Sequence, residues 1–275
     1  MTESVVQLGE ERTLVGILSP SPTPREYAGR PGVIFLNGGL VHRVGPNRLH
    51  VALARTIAEG GCATLRFDPS GIGDSRADTG AGRLGERRIA ETRTAMDWLG
   101  RETGTDRFLL IGNCSGAGVG YLTAHADPRV VGLGLINPQA PVLMRHFLRT
   151  ALSHPNTWRR LVGGRARVRD QLGQLFARRE DDAAPEGAHR DIPGGLRTLA
   201  QRGVDLLLAY SEWDPGYDYY RHVLRRALDA PGVKEKIRIE IIPGADHQLS
   251  LRATQERLVH IIDHWLAEVY GHGWQ

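Results

Sequence analysis

Polar and apolar residues alternate over Ser4 to Leu8 and again over Thr13 to Leu18, with Gly9-Glu10-Glu11 between the two runs. Alternation of period two puts every second side chain on one face, so the pair predicts an antiparallel hairpin opening a sheet. Pro20 to Pro24 breaks it. From there the pattern changes to short, largely apolar runs: Gly32 to Leu36, Cys62 to Phe67, Phe108 to Ile111, Val131 to Ile136, Val204 to Tyr210 and Ile237 to Ile242. Runs of that length bounded by glycines and polar turns predict strands buried on both faces. Between them, helical periodicity predicts helices over Arg48 to Glu59, about Glu86 to Arg101, Gly116 to about His125, and about Ser250 to Val269. Strand alternating with helix at this spacing predicts an α/β fold with a mostly parallel sheet covered on both sides.

The rhythm fails between Leu143 and Arg197, where no strand is evident. Between Arg145 and Arg179 stand nine arginines and one acid, Asp170, the strongest local charge bias in the chain. The expected organisation is a core from residues 1–142 and 198–275, with 143–197 a helical lid insertion whose loops fall at Pro185 to Gly187 and Pro193 to Gly195. Over the whole chain charge is nearly balanced, with 35 Lys and Arg against 31 Asp and Glu, and this does not imply nucleic acid as a partner. The two cysteines, Cys62 and Cys114, have no paired spacing, so neither a disulfide framework nor a metal site is expected. A reducing, cytoplasmic setting fits them. No stretch approaches the ~18 apolar residues of a membrane span, and no secretory leader is evident.

Gly112-Asn113-Cys114-Ser115-Gly116 lies between a buried strand and a Gly/Ala-rich helix, the setting of a nucleophile elbow. Such a turn strains its central residue and crowds the positions two residues to either side, where glycine is favoured. With Cys114 at the centre the flanks are Gly112 and Gly116; with Ser115 they are Asn113 and Ala117. The steric rule selects Cys114. A small buried hydrophobe is the alternative for any free cysteine.

These motifs, taken in order, resemble the α/β-hydrolase superfamily along nearly the whole chain. Asn37-Gly38-Gly39 after the first long strand resembles the family's oxyanion loop, where His-Gly is more usual. The segment from Asp68 to Ser75 resembles its Asp-x-x-Gly-x-Gly-x-Ser turn, and Ser211-Glu212-Trp213-Asp214-Pro215 the turn carrying the catalytic acid. Gly244-Ala245-Asp246-His247 is similar to the turn carrying the base. Cysteine in place of serine at the elbow is the departure. It resembles dienelactone hydrolases, polyhydroxyalkanoate synthases and exosortase-associated hydrolases, and the loop from Gly39 to Gly45 looks closest to the last.

The resemblance implies a triad of Cys114, His247 and Asp214, with Asp218 the rival acid. A neutral imidazole takes the thiol proton and the carboxylate fixes its tautomer. The implied oxyanion donors are the backbone N–H groups of Ser115 and Gly39, with Leu40 the alternative to Gly39. No cofactor is implied. The expected activity is acyl transfer through a covalent acyl-enzyme, from an acyl thioester or activated ester, with thioesterase or acyltransferase outcome. Two alternatives stay open: a small ester or lactone hydrolase of the dienelactone hydrolase type, and a noncatalytic ligand-binding protein. The partner is then a small acyl substrate. A cationic lid would suit coenzyme A or an acyl carrier protein as its carrier, although a solvated basic face is the preferred reading of these arginines. Trp158, Trp213, Tyr217, Tyr219 and Tyr220 are candidates for an acyl pocket or for the core.

Overall fold

The computed structural model describes residues 2–22, 29–77, 82–139 and 191–271. Within them the chain runs β1 (Ser4–Leu8), β2 (Leu14–Ser19), β3 (Gly32–Leu36), α1 (Leu49–Glu59), β4 (Thr64–Phe67), α2 (Leu84–Thr103), β5 (Phe108–Asn113), α3 (Ser115–Ala126) and β6 (Val130–Ile136). After the undescribed stretch come α4 (Ile192–Gln201), β7 (Asp205–Ser211), α5 (Pro215–Tyr219), a π turn over Tyr220–Leu224, α6 (Arg225–Leu228), β8 (Ile237–Ile242) and α7 (Arg252–Tyr270). The eight strands form one sheet in the order β1-β2-β4-β3-β5-β6-β7-β8. β2 pairs antiparallel with both β1 and β4, and every other pairing is parallel.

The central strands are apolar throughout because each divides its side chains between two cores. Ile34 and Leu36 of β3, Leu110 of β5, and Leu206 and Leu208 of β7 pack on one face with Met96 and Leu99 of α2, Tyr121 of α3, and Leu196 and Leu199 of α4. Val33 and Phe35, Leu109 and Ile111, and Leu207 and Ala209 turn to the opposite face. They meet Leu53 and Ile57 of α1 and Leu258, Ile262 and Trp265 of α7. Burial on both faces removes the polar alternation of a half-exposed strand. At the β8 edge the alternation returns, and the outward pair Arg238 and Glu240 bonds at 2.8 Å, putting charge where a sheet edge would otherwise recruit another strand.

The predicted strands and helices occur where the pattern placed them, to within two residues at most ends. One loop assignment is corrected. Pro193 to Gly195 is the first turn of α4: Pro193 occupies a first-turn position, where its missing N–H costs nothing, and the Asp191 side chain caps the helix by accepting from the Gly194 N–H at 2.9 Å. The insertion assigned to 143–197 otherwise lies outside the described residues, as do the arginines from Arg145 to Arg179 and Trp158. α5 and α6 were not foreseen, because a five-residue helix broken by a π turn leaves no sustained period to read.

α3 lies very close to the sheet. A Cβ on Gly116 would come within 3.0 Å of the Leu36 and Asn37 carbonyl oxygens, and one on Gly112 within 3.0 Å of the Gly116 carbonyl. Backbone atoms cannot move aside as a side-chain tip can, so Gly116→Ala is expected to cost about 1–3 kcal/mol in urea unfolding. Gly118, one half-turn further on, meets nothing within 4 Å among the described residues. Gly118→Ala should therefore stabilise by up to about 1 kcal/mol through helix propensity alone. A loss of stability in both variants would show that glycine is required along the whole turn rather than at the contact.

Candidate active site

Cys114 sits between β5 and α3 with φ 54° and ψ −119°, a conformation that costs a non-glycine residue about 1–3 kcal/mol. The close approach of Gly112 and Gly116 makes this turn possible, as the flanking-glycine rule required. The sulfur is held at the N-terminus of α3, half-buried, and interacts with three groups. His247 is hydrogen-bonded to it, and the Ser115 N–H and the Gln139 side-chain amide donate to it. Together they hold the Cys114 thiol below its usual range, His247 contributing most, against the opposing effect of burial.

His247 stands in the loop after β8. Its Nδ1 bonds the Asp214 carboxylate in a very short contact, which leaves Nε2 for Cys114. Asp214 is nearly fully buried at the N-cap of α5, where its Oδ1 accepts from the Gly216 N–H at 2.7 Å. The carboxylate in contact with the imidazole is thus that of Asp214. The Asp214 and Cys114 hydrogen bonds raise His247 to about 10. Thiolate and imidazolium therefore coexist between the lowered Cys114 value and about pH 10. Acid removes the pair by protonating sulfur and base by deprotonating the ring.

The two amides expected to bind an oxyanion are brought to the same place. Gly39, with φ 57°, donates its N–H to the Ser115 hydroxyl at 2.7 Å, while the Ser115 N–H faces the sulfur. Gly38 must be glycine, since a Cβ would come within 3.0 Å of Asn113 oxygens. Leu40 is 87% exposed. The Asp68 to Ser75 turn anchors this loop: buried Asp68 accepts the Arg43 N–H at 2.6 Å and bonds the Arg43 guanidinium, and Ser75 Oγ donates to the Asp68 carbonyl at 2.6 Å.

Sequence reasoning missed two residues, Gln139 and Asn137, and the bonding role of a third, Ser211. Gln139 follows β6 without a motif. Asn137, buried at the end of β6 with φ 43°, donates its side-chain amide to Ser211 Oγ at 2.9 Å and to the His247 carbonyl at 3.1 Å, and accepts from the Ser211 N–H at 2.7 Å. Ser211 Oγ donates in turn to the Asp246 carbonyl at 2.8 Å. This clamp ties the acid turn to the histidine loop. The Asn-Pro pair at 137–138 was the available signal, since Asn tolerates the left-handed region and the next residue is fixed by its ring.

The strand order, the elbow and the strand-end positions of acid and base decide the architecture. The chain has the α/β-hydrolase fold. Solved structures agree with this assignment. A dienelactone hydrolase from Anabaena variabilis is 17% identical, with 97% of each chain covered and a TM-score of 0.55. The esterase domain of a Rhodothermus marinus protein is 17% identical over 98% of this chain and 100% of that one, with a TM-score of 0.59. A predicted CIB-like hydrolase from Thermoplasma acidophilum is 13% identical over 98% and 100%, with a TM-score of 0.60. No protein-family model and no curated protein matches the sequence. Within this hydrolase fold, no described helix is long and apolar enough to cross a membrane.

Burial pushes the other thiol, Cys62, up to about 12. Iodoacetamide at pH 7 is therefore expected to modify Cys114 and spare Cys62, read by peptide mass spectrometry. The Cys114 rate should fall as pH drops through its lowered value. In His247→Ala the midpoint should rise toward the free thiol value of about 8.5. An unchanged midpoint in that variant would remove His247 from the thiol's surroundings.

Proposed function

We propose that this protein is an acyl-transfer enzyme that forms a covalent acyl-enzyme on Cys114 from an acyl thioester or activated ester. The observation that carries this reading is the continuous hydrogen-bonded chain Cys114–His247–Asp214 at a strained elbow. The thiolate attacks the acyl carbonyl, and the new C–S bond forms as the carbonyl electrons move to oxygen. The Ser115 and Gly39 N–H groups are the donors for that oxyanion, once the substrate oxygen replaces the sulfur and the hydroxyl they face at rest. Collapse expels the leaving thiol or alcohol, which takes its proton from the His247 imidazolium. Neutral His247 then deprotonates the acceptor, whose attack on the thioester releases Cys114. Asp214 holds the ring through both half-reactions and remains ionised.

Water as the acceptor gives hydrolysis, and the name of the A. variabilis neighbour favours an ester or lactone as substrate in that case. A thioester intermediate is readily attacked by amines and thiols, which supports transfer when such an acceptor is bound. A coenzyme A or acyl carrier protein donor belongs to this reading, through the arginines of 145–179. A cytoplasmic location fits the free thiols. A noncatalytic ligand-binding role is disfavoured, since binding alone needs no thiol paired with an oriented imidazole.

Intact-mass measurement with a panel of acyl thioesters and esters tests the proposal. The wild type should gain one acyl mass, Cys114→Ala should gain none, and Ser115→Ala should retain the adduct. Asp214→Asn should slow acylation by on the order of 10²–10⁴ and Asp218→Asn much less. Labelling of Cys114→Ala at the wild-type rate would overturn the assignment. The ratio of transferred to hydrolysed product with added acceptors decides between the two outcomes.

A further inference from the structure

His247 stands in a stretch without helix or strand, so its backbone must be held from outside. The carbonyls of four consecutive residues each accept from a side chain: Asp246 from Ser211 Oγ at 2.8 Å, His247 from Asn137 Nδ2 at 3.1 Å, Gln248 from Asn47 Nδ2 at 3.1 Å and Leu249 from Gln255 Nε2 at 2.7 Å. The stretch ends on Leu249, which is fully buried with φ 51°. Ser211 closes β7, Asn137 follows β6 and Gln255 lies in the first turn of α7. Asn47 alone of the four comes from the segment between β3 and α1, which also carries Gly39.

The turn that presents Asn47 is itself fixed. Gly45, with φ 71°, lies against the imidazole of fully buried His50, where a Cβ would come within 3.0 Å of the ring, and Pro46 is buried. The Arg48 N–H donates to the Gly45 carbonyl at 3.3 Å and the His50 N–H to the Val44 carbonyl at 3.1 Å. Asn47 has φ 48° and ψ 34°, a left-handed conformation that asparagine tolerates better than most residues. Its bond to Gln248 is exposed to solvent, where water competes, so it adds little to folding stability. What the bond fixes is the direction of the peptide that follows the base. A small displacement of the ring is costly where the ring must meet a reacting sulfur.

We propose that Asn47 is a positioning residue for the base: by gripping the Gln248 carbonyl, its amide holds the His247 imidazole in line with the Cys114 sulfur from the side of the oxyanion loop. The inference rests on the Cys114–His247 pairing of the proposed function and adds how that pair is kept in register. The titratable groups that act on the pair are Asp214 and Cys114 on the ring, and the ring on the sulfur. Asn47 carries no charge, so its loss moves the titration of the pair only by moving the ring.

The test is the pH dependence of iodoacetamide modification at Cys114 in the wild type, Asn47→Gly and Asn47→Ala, with melting temperatures for all three. Asn47→Gly keeps the left-handed backbone and loses the donor. Its thiol midpoint should rise by roughly 0.5–1 pH, part of the way to that of His247→Ala. Acylation should slow about five- to tenfold, the effect of one net hydrogen bond, at an unchanged half-saturating donor concentration. Its melting temperature should stay within about 2 °C of the wild type, since an exposed bond contributes little. Asn47→Ala loses the same donor and adds backbone strain, so it should show the same midpoint and melt lower.

A role in the turn alone would leave Asn47→Gly with the wild-type midpoint and raise it only in Asn47→Ala, and that result overturns the inference. A higher half-saturating concentration without slower acylation overturns it as well. A lowered wild-type midpoint that Asn47→Gly leaves in place overturns this inference and spares the proposed function. A raised midpoint in Asn47→Gly, with no acylation of the wild type by any donor, supports the inference and overturns acyl transfer. A wild-type midpoint at the free thiol value overturns both.

Discussion

The contact between the first turn of α3 and the end of β3 is the constraint on which the site depends. Gly116 lies against the Leu36 and Asn37 carbonyls, and Gly112 against Gly116 itself. With any larger residue at either position the helix would stand further from the sheet. Cys114 could not then be held at φ 54°, nor its sulfur at the helix N-terminus beside the Asn37-Gly38-Gly39 loop. The strain at Cys114 is local and unfavourable. It persists because two large apolar cores fix the strand before it and the helix after it.

A second constraint aligns Asp214 with His247, the other half of the proposed triad. Asp214 and His247 sit in separate loops after β7 and β8, and loops alone would leave their distance variable. Asn137 removes that freedom by bonding Ser211, three residues before the acid, and the backbone of His247 itself. The amide of one buried side chain thus supplies rigidity that the loops lack. Its role is positional, since its bonds run to backbone and hydroxyl groups rather than to the reacting sulfur.

Much of this was legible in the chain. Buried parallel strands announce themselves as short apolar runs, and the flanks at Gly112 and Gly116 separated Cys114 from Ser115 by sterics alone. The turns that hold Asp214 and His247 were legible because they come directly after strands. What stayed hidden has no periodicity and no composition of its own. Asn137, Gln139 and the Arg43–Asp68 bond are single side chains whose meaning lies in partners far along the chain. α4 was missed at its start because Pro-Gly-Gly reads as a loop until the Asp191 cap is seen. α5 and α6 were missed because each is too short to show a period.

The distribution of the proposed triad along the chain has a consequence for biosynthesis. Cys114 closes β5, whereas its base follows β8, three strands later. A parallel sheet cannot bring those ends together by local contacts, so the thiol acquires its partner only when the last strands dock. Until then the sulfur is an ordinary cysteine, mostly protonated at neutral pH. On the proposed mechanism the nascent polypeptide therefore carries its nucleophile in a dormant form through synthesis, and reactivity switches on with completion of the tertiary structure.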